Sequence, residues 1–272
     1  MQPGSNIGAA AATLASSRLS GGMLADLPVG FRPRDEVEGY EVQHALHGIL
    51  TSAGYGVRAG WKIGCTTKTM QTYLGVDGPS AGGMFLAQLW RGSHLFAVPK
   101  PRRLGVECEV AVRLARDLPR RERAYDVADM APSVAACMAA IEVVEDRYTD
   151  YPSLGVPTLI ADDFFHYAAV LGPEDERFDP ARLRDVTGSL RINNVEVASG
   201  RGVDILGEPL AALCWLANRA VEWGEPLRAG EVVLLGSVVQ TQWVEPGDVV
   251  TISNDLLGEA GVAFEEARPV GS

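Results

Sequence analysis

Two glutamates bracket a single residue in the run Gly105-Val106-Glu107-Cys108-Glu109-Val110-Ala111-Val112, and a third, Glu142, stands in a similar apolar run further along. From Val106 to Leu114 the even positions are Val, Cys, Val, Val and Leu, and the odd ones are Glu107, Glu109, Ala111 and Arg113. That period of two is a strand's. It sets both carboxylates on one face, about 7 Å apart. Carboxylates held that close on a rigid element repel each other unless positive charge sits between them, and a hard divalent cation with oxygen ligands supplies it. The competing reading of the same pattern is a half-buried strand with a solvated acidic face.

Lys62 lies between Trp61 and Ile63. A partly buried lysine near acids shifts its pKa readily and can bind an anion, whereas a lysine at a strand edge snorkels. The four histidines have no metal spacing among themselves. His44 and His47, at i and i+3 of a helical stretch, are expected to pack, and His166, after two phenylalanines, reads as a satisfied strand histidine or a base. There is no glycine-rich nucleotide loop and no nucleophile elbow. Ser199-Gly200-Arg201-Gly202 reads as a loop before a helix, so a serine hydrolase is not supported.

The elements that must hold these residues follow from patterning. A helix is predicted over 7–20, ending at Gly21-Gly22, and a second over 35–53, so that residues 1–60 read as a mainly helical segment and 61–272 as one β-roll unit. A glycine- and proline-punctuated stretch follows. From about residue 104 strands dominate: 106–114, then 140–146 after a helix opened by Asp129 and Pro132, then His166 to Leu171. Ser189 to Val197 forms a hairpin turning on Asn193-Asn194, a helix runs from Pro209 to about Trp223, and the tail is strand with a last turn near Gly258. Irregularly placed helices among many short strands predict an α+β mixed roll or barrel rather than a doubly wound sheet.

With 35 acidic and 24 basic side chains the net charge is -11, which disfavours nucleic acid and anionic membranes as partners. The four cysteines are scattered without a CxxC pair. Residues 9–19 read as an alanine-rich helix rather than a secretory leader, and no run is long enough to span a bilayer, so a cytoplasmic protein with reduced thiols is expected. Aromatic residues make up only 7%, which argues against a carbohydrate-binding β-sandwich.

Taken in order, Gly60-Trp-Lys62-Ile-Gly-Cys-Thr66, Leu74-Gly-Val-Asp-Gly-Pro79, Val106-Glu107-Cys-Glu109, Ala140-Ile-Glu142-Val-Val, Ala161-Asp-Asp-Phe-Phe165, Leu206-Gly-Glu-Pro-Leu210 and Glu245-Pro-Gly-Asp248 resemble the fumarylacetoacetate hydrolase superfamily, in its branch of hydratases and decarboxylases acting on 2-oxo-alkenoic acids. The resemblance implies a mixed β-roll that forms homo-oligomers. It implies Mg²⁺ or Mn²⁺ held by Glu107, Glu109 and Glu142, with Glu145 the competing third ligand. It implies substrate contacts from Lys62, Thr66, Asp163 and Gln240, and proton-transfer candidates in Lys62, Glu145, Ser80 and His166. Three places depart from the family's pattern: Ser80 stands where an acid is expected, Ser237 to Gln242 replaces a run of small residues, and Asp163-Phe164-Phe165-His166 replaces an Asn-Ala-Ser type stretch. Specificity is expected from residues 80–90 and 237–243. The implied reaction is hydration of a 2-hydroxy-2,4-dienoate; decarboxylation of a 2-oxo-dioate, acylpyruvate hydrolysis, or 2-oxo acid binding without catalysis are the alternatives.

Overall fold

A computed structural model describes residues 3–98 and 101–267. The alanine-rich segment forms helix α1, Pro3–Ser20, which buries Ala10, Ala11, Leu14 and Ala15 and stops at Gly21, whose φ is 74°. Helix α2, Glu36–Leu50, is capped by Asp35, whose carboxylate accepts the Glu38 N–H at 3.0 Å. It buries Val42, Leu46 and Leu50 against α1 and the short helix α4, Val156–Ala161. A two-turn helix α3, Lys68–Leu74, and helix α5, Pro209–Glu222, complete the set described.

The strands in chain order are β1 Arg58–Gly64, β2 Ser80–Phe85, β3 Leu89–Arg91, β4 Ser93–Val98, β5 Arg103–Leu114, β6 Val134–Asp146 and β7 His166–Leu171. They continue as β8 Thr187–Ile192, β9 Val195–Arg201, β10 Val232–Ser237, β11 Gln242–Val244, β12 Val249–Asn254 and β13 Gly258–Glu266. One sheet has the order β2-β1-β10-β5-β6-β7-β3, with β11 also pairing β5; the other has the order β4-β13-β12-β8-β9. Strands β12 and β13 pack over β6, and β8 packs over β5. The second sheet thus covers the face of β5 that carries Cys108 and leaves the opposite face to the first sheet's own interior.

The mixed roll is the fold expected from the sequence. The predicted hairpin turns on Asn193 and Asn194 at φ 52° and 67°, and α5 ends before Gly224 at φ 77°. Three local readings are corrected. The helix assigned to Asp129 and Pro132 is two 3₁₀ turns, Val127–Asp129 and Ala131–Ser133, because β6 already begins at Val134, which pairs Leu114. The punctuated stretch before residue 104 contains β1 to β4; Gly64, Gly82 and Gly83 lie inside strands, whereas Gly75 caps α3 and Gly78 and Gly92 lie in bends. Ser199-Gly200-Arg201 closes strand β9 and is not a loop.

A buried ionic network ties α1 to the core. Arg18 bridges Asp162 at 2.5 Å and Asp163 at 2.9 Å. Asp162 also accepts from the Tyr148 hydroxyl at 2.5 Å and pairs with Arg147 at 3.3 Å. Asp163 Oδ1 accepts the Gly83 N–H at 2.8 Å and meets His47 Nε2 at 2.7 Å. Each buried charge has an opposite partner, which is the condition for tolerating it. This network pins a strained segment, for Asp163, Phe164 and Phe165 sit consecutively at φ 54°, 49° and 67°. Left-handed backbone costs L-residues about 1–2 kcal/mol each and persists only where surroundings impose it.

Candidate active site

Strand β5 turns Gly105, Glu107 and Glu109 to one face, and β6 lays Glu142 directly opposite Glu107. One carboxylate oxygen from each of Glu107, Glu109 and Glu142 lies within 4.8 Å of the other two. Glu109 and Glu142 are each only 1% exposed, so the reading of a solvated acidic face fails. Two sheet positions over, β1 delivers Lys62 into the same space, its Nζ 3.3 Å from Glu142 Oε1. Lys62 is 3% exposed on a strand paired on both sides, not snorkelling from an edge.

The electrostatics follow from that crowding. Burial, then repulsion from Glu142, pushes the Glu107 carboxyl up to about 7 against the opposing Lys62 and Thr241. Burial and the two neighbouring carboxylates push Glu109 well above the ordinary range. Burial would raise Glu142 as well, but Lys62 and His166 outweigh it and hold that carboxyl low. For Lys62 burial favours the neutral amine, yet the three glutamates prevail and keep it an ammonium.

One oxygen of each carboxylate is tied down. Glu109 Oε2 accepts the Gly236 N–H at 2.8 Å, Glu107 Oε1 accepts the Thr241 hydroxyl, and Glu142 Oε1 takes both Lys62 and the His166 ring at 2.9 Å. Gly236 can do this because β10 leaves register with β5 between Leu234 and Ser237, and its φ is 135°. A Cβ there would fall 2.3 Å from Thr66 Oγ1, so only glycine fits. Among the described residues each glutamate keeps its second oxygen for a ligand. Three oxygen donors whose charges raise one another's pKa, with a single ammonium between them, suit a hard divalent cation.

The triad opens into a pocket of about 710 Å³ whose wall includes Lys62, Thr66, Glu107, Phe164, Gln240 and Trp243. Of the residues singled out from sequence, Lys62, Thr66, Gln240 and the three glutamates are thus brought together. Four others are not. Glu145 lies three residues from Glu142 and so on the opposite face of β6, held by Arg102 at 3.0 Å and Arg147 at 3.2 Å; it is neither ligand nor pocket base. Asp163 is consumed by Arg18, His47 and Gly83, which removes it from substrate binding. Ser80 is buried opposite Gly64 at the start of β2, outside the pocket wall, as is the rest of 80–90. His166 stands behind Glu142, 1% exposed and off the pocket wall, its ring hydrogen-bonded to that carboxylate. Burial holds its imidazole below the usual histidine value despite Glu142.

Sequence reasoning missed Gly236, Thr241 and the paired rings of Phe164 and Phe165. The signals available were the place of Thr241, Phe164 and Phe165 in two stretches that depart from the family's pattern, and of Gly236 immediately before one of them.

A model of the fumarylacetoacetate (FAA) hydrolase C-terminal family matches residues 91–263. The chain belongs to the fumarylacetoacetate hydrolase family. Within that family it is 31% identical to a 2-keto-4-pentenoate hydratase of Burkholderia vietnamiensis (strain G4), over 98% of this chain and all of the relative. It is also 31% identical to 2-keto-4-pentenoate hydratase 1 of Dechloromonas aromatica (strain RCB), over 94% of this chain and 96% of the relative. The 4-oxalocrotonate decarboxylase from Pseudomonas putida G7, solved with magnesium and adipate, shares the fold with a TM-score of 0.88 at 21% identity, covering 97% of this chain and 99% of that one. The chain is therefore an enzyme of the fumarylacetoacetate hydrolase superfamily, grouped with its hydratase and decarboxylase branch. Among the described residues no helix is long and apolar enough to cross a membrane.

Proposed function

We propose that this enzyme is a hydro-lyase that adds water to a 2-hydroxy-2,4-dienoate, giving a 4-hydroxy-2-oxo acid, with one Mg²⁺ or Mn²⁺ held by Glu107, Glu109 and Glu142. The observation that carries the reading is the buried triad facing Lys62 at the base of the pocket, in a chain whose full-length relatives are hydratases. A bound divalent ion supplies Lewis acidity toward the substrate's carboxylate and 2-oxygen.

The chain's own residues do the rest. Lys62, kept protonated by the glutamates, holds the negative charge that gathers on the substrate's C2 oxygen. In the first stage the dienol becomes an α,β-unsaturated 2-oxo acid, with the O2 proton lost and C5 protonated. In the second, water adds with its hydroxyl at C4 and its proton at C3. The described titratable groups on the pocket wall are Lys62, Cys65, Lys68, Glu107, Tyr151 and Asp204. Burial pushes the Cys65 thiol up to about 12, so it stays neutral, and Lys68 and Asp204 are exposed at the rim. With Glu107 assigned to the ion, Lys62 Nζ beside the triad and the Tyr151 hydroxyl on the wall are the candidate proton carriers. His166 and the Gly236 N–H position the triad.

The test is loss of dienol ultraviolet absorbance on adding purified enzyme with Mg²⁺, with mass spectrometry of the product. A product one water heavier than substrate is the expected result. Carbon dioxide release from a 2-oxo-dioate without any hydration product would replace this reading with decarboxylation.

A further inference from the structure

Within one step along the strands the site changes character. On the face that carries Glu107 and Glu142, the next pair outward is Gly105 opposite Val144. Residue 105 has no side chain, and the space is taken by neighbours: a Cβ there would lie 2.6 Å from Thr241 Cγ2, 3.1 Å from Trp243 Cε3 and 3.1 Å from Val144 Cγ2. The floor beside the carboxylates is thus apolar, and Trp243 extends it to the rim at 41% exposure.

The facing wall is aromatic. Lys62 Nζ sits 5.5 Å from the centre of the Phe164 ring, Phe164 lies edge-on to Phe165 at 5.9 Å, and Phe165 edge-on to Tyr151 at 5.3 Å. These rings run outward from Lys62 in one contiguous series. Phe164 and Phe165 are held in left-handed backbone by the buried Asp163, so the wall is rigid rather than adaptable. The pocket's volume, about 710 Å³, is that of a site for a ligand well above five carbons. The cations on its described wall are Lys62, beside the triad, and Lys68, exposed on the first turn of α3; the Arg103 guanidinium that stacks on Trp243 at 4.5 Å lies outside the wall and is neutralised by Asp146 at 3.0 Å.

We infer that the distal half of the pocket receives an uncharged apolar group about the size of a phenyl ring or branched alkyl chain, so that the substrate is a dienoate substituted at its far end and not a dioate. The inference rests on the hydratase reading for the head of the substrate and adds the tail.

Binding separates the two. Calorimetry with the Mg²⁺-loaded protein compares 2-oxopentanoate, 2-oxo-5-phenylpentanoate and 2-oxoadipate, none of which can be hydrated. The phenyl compound is expected to bind at least about tenfold more tightly than 2-oxopentanoate, the scale of an apolar group entering a fitted pocket, with 2-oxoadipate no tighter than 2-oxopentanoate. Phe165→Ala and Trp243→Ala should each lower the phenyl-to-pentanoate ratio about fivefold or more. Two variants on separate elements are used because Phe165 lies in strained backbone, whereas Trp243 is on an exposed strand. Equal affinities, a preference for 2-oxoadipate, or no binding of any of the three overturns the inference even if dienoates are hydrated. Tenfold selectivity with no hydration of a phenyl-substituted dienoate upholds it and overturns the hydratase reading alone.

Discussion

At the scale of single residues, the triad stores repulsion that substitution should release. A carboxyl whose folded pKa is raised to about 7 from an ordinary 4.5 weakens the fold as pH climbs between those values, fully so above about 7. Metal-free Glu107→Gln is therefore expected to melt higher than metal-free wild type at pH 8, by about 2–4 °C per kcal/mol relieved, with the gain vanishing near pH 4.5. The same variant should bind Mg²⁺ at least about tenfold more weakly by calorimetry, the scale expected for disturbing a metal's coordination. A variant with wild-type affinity would remove Glu107 from the ligand set. Lys62→Met goes the other way. It takes the one ammonium among the described residues that stands between the three glutamates, so metal-free protein should melt lower. Loss of a charge-assisted contact of about 1.5–3 kcal/mol predicts a fall in kcat/KM of at least about tenfold on a dienoate. Unchanged kinetics would reduce Lys62 to a structural counter-ion.

At the scale of elements, α1 reaches the pocket through Arg18, Asp163 and the turn that aims Phe164 and Phe165. Burial would lift the Asp163 carboxyl, but His47 and Arg18 outweigh it and hold it well below the ordinary 3.8. Such a group stabilises the fold at pH above its unfolded pKa, and the contribution disappears as pH falls through the lower folded one. Asp163→Asn should then cost about 3–5 kcal/mol at pH 7, as when one partner of a buried pair is removed, with the deficit narrowing below pH 3.8 in urea titrations. A flat difference across pH would deny Asp163 that role. This network was not legible in the sequence, because nothing local to Arg18 indicates a partner so distant along the chain. The β5 register was legible, since period two alone sets Glu107 beside Glu109. The same rule applied to β6 separates Glu142 from Glu145, three residues apart and hence on opposite faces. Strands β1 and β2 were hidden because their glycines punctuate the pattern, whereas here Gly60 and Gly82 let neighbouring backbones approach. Gly236 and Thr241 gave no motif; a bulge in β10 makes them useful.

At the scale of the whole molecule, the second sheet packs on one face of β5 and β6 and the triad stands on the other, so the base of the active site is built on the central strands of the roll. Ligand binding there is coupled to global stability. Added Mg²⁺ should raise the melting temperature of chelator-treated protein in proportion to the logarithm of its concentration above Kd; a melting point insensitive to Mg²⁺, Mn²⁺ and Ca²⁺ would count against any divalent site in the triad. Glu107 and Glu142 form a directly opposed like-charged pair in the longest ladder of the roll, and such pairs weaken strand association. The ladder thus becomes a reporter of its own occupancy. Amide-hydrogen exchange should quicken in residues 105–109 and 140–144 when the ion is withdrawn and slow on its return, while the exposed edge strand β9 exchanges at a constant rate. The protein's filling state would be readable from its backbone without substrate or turnover.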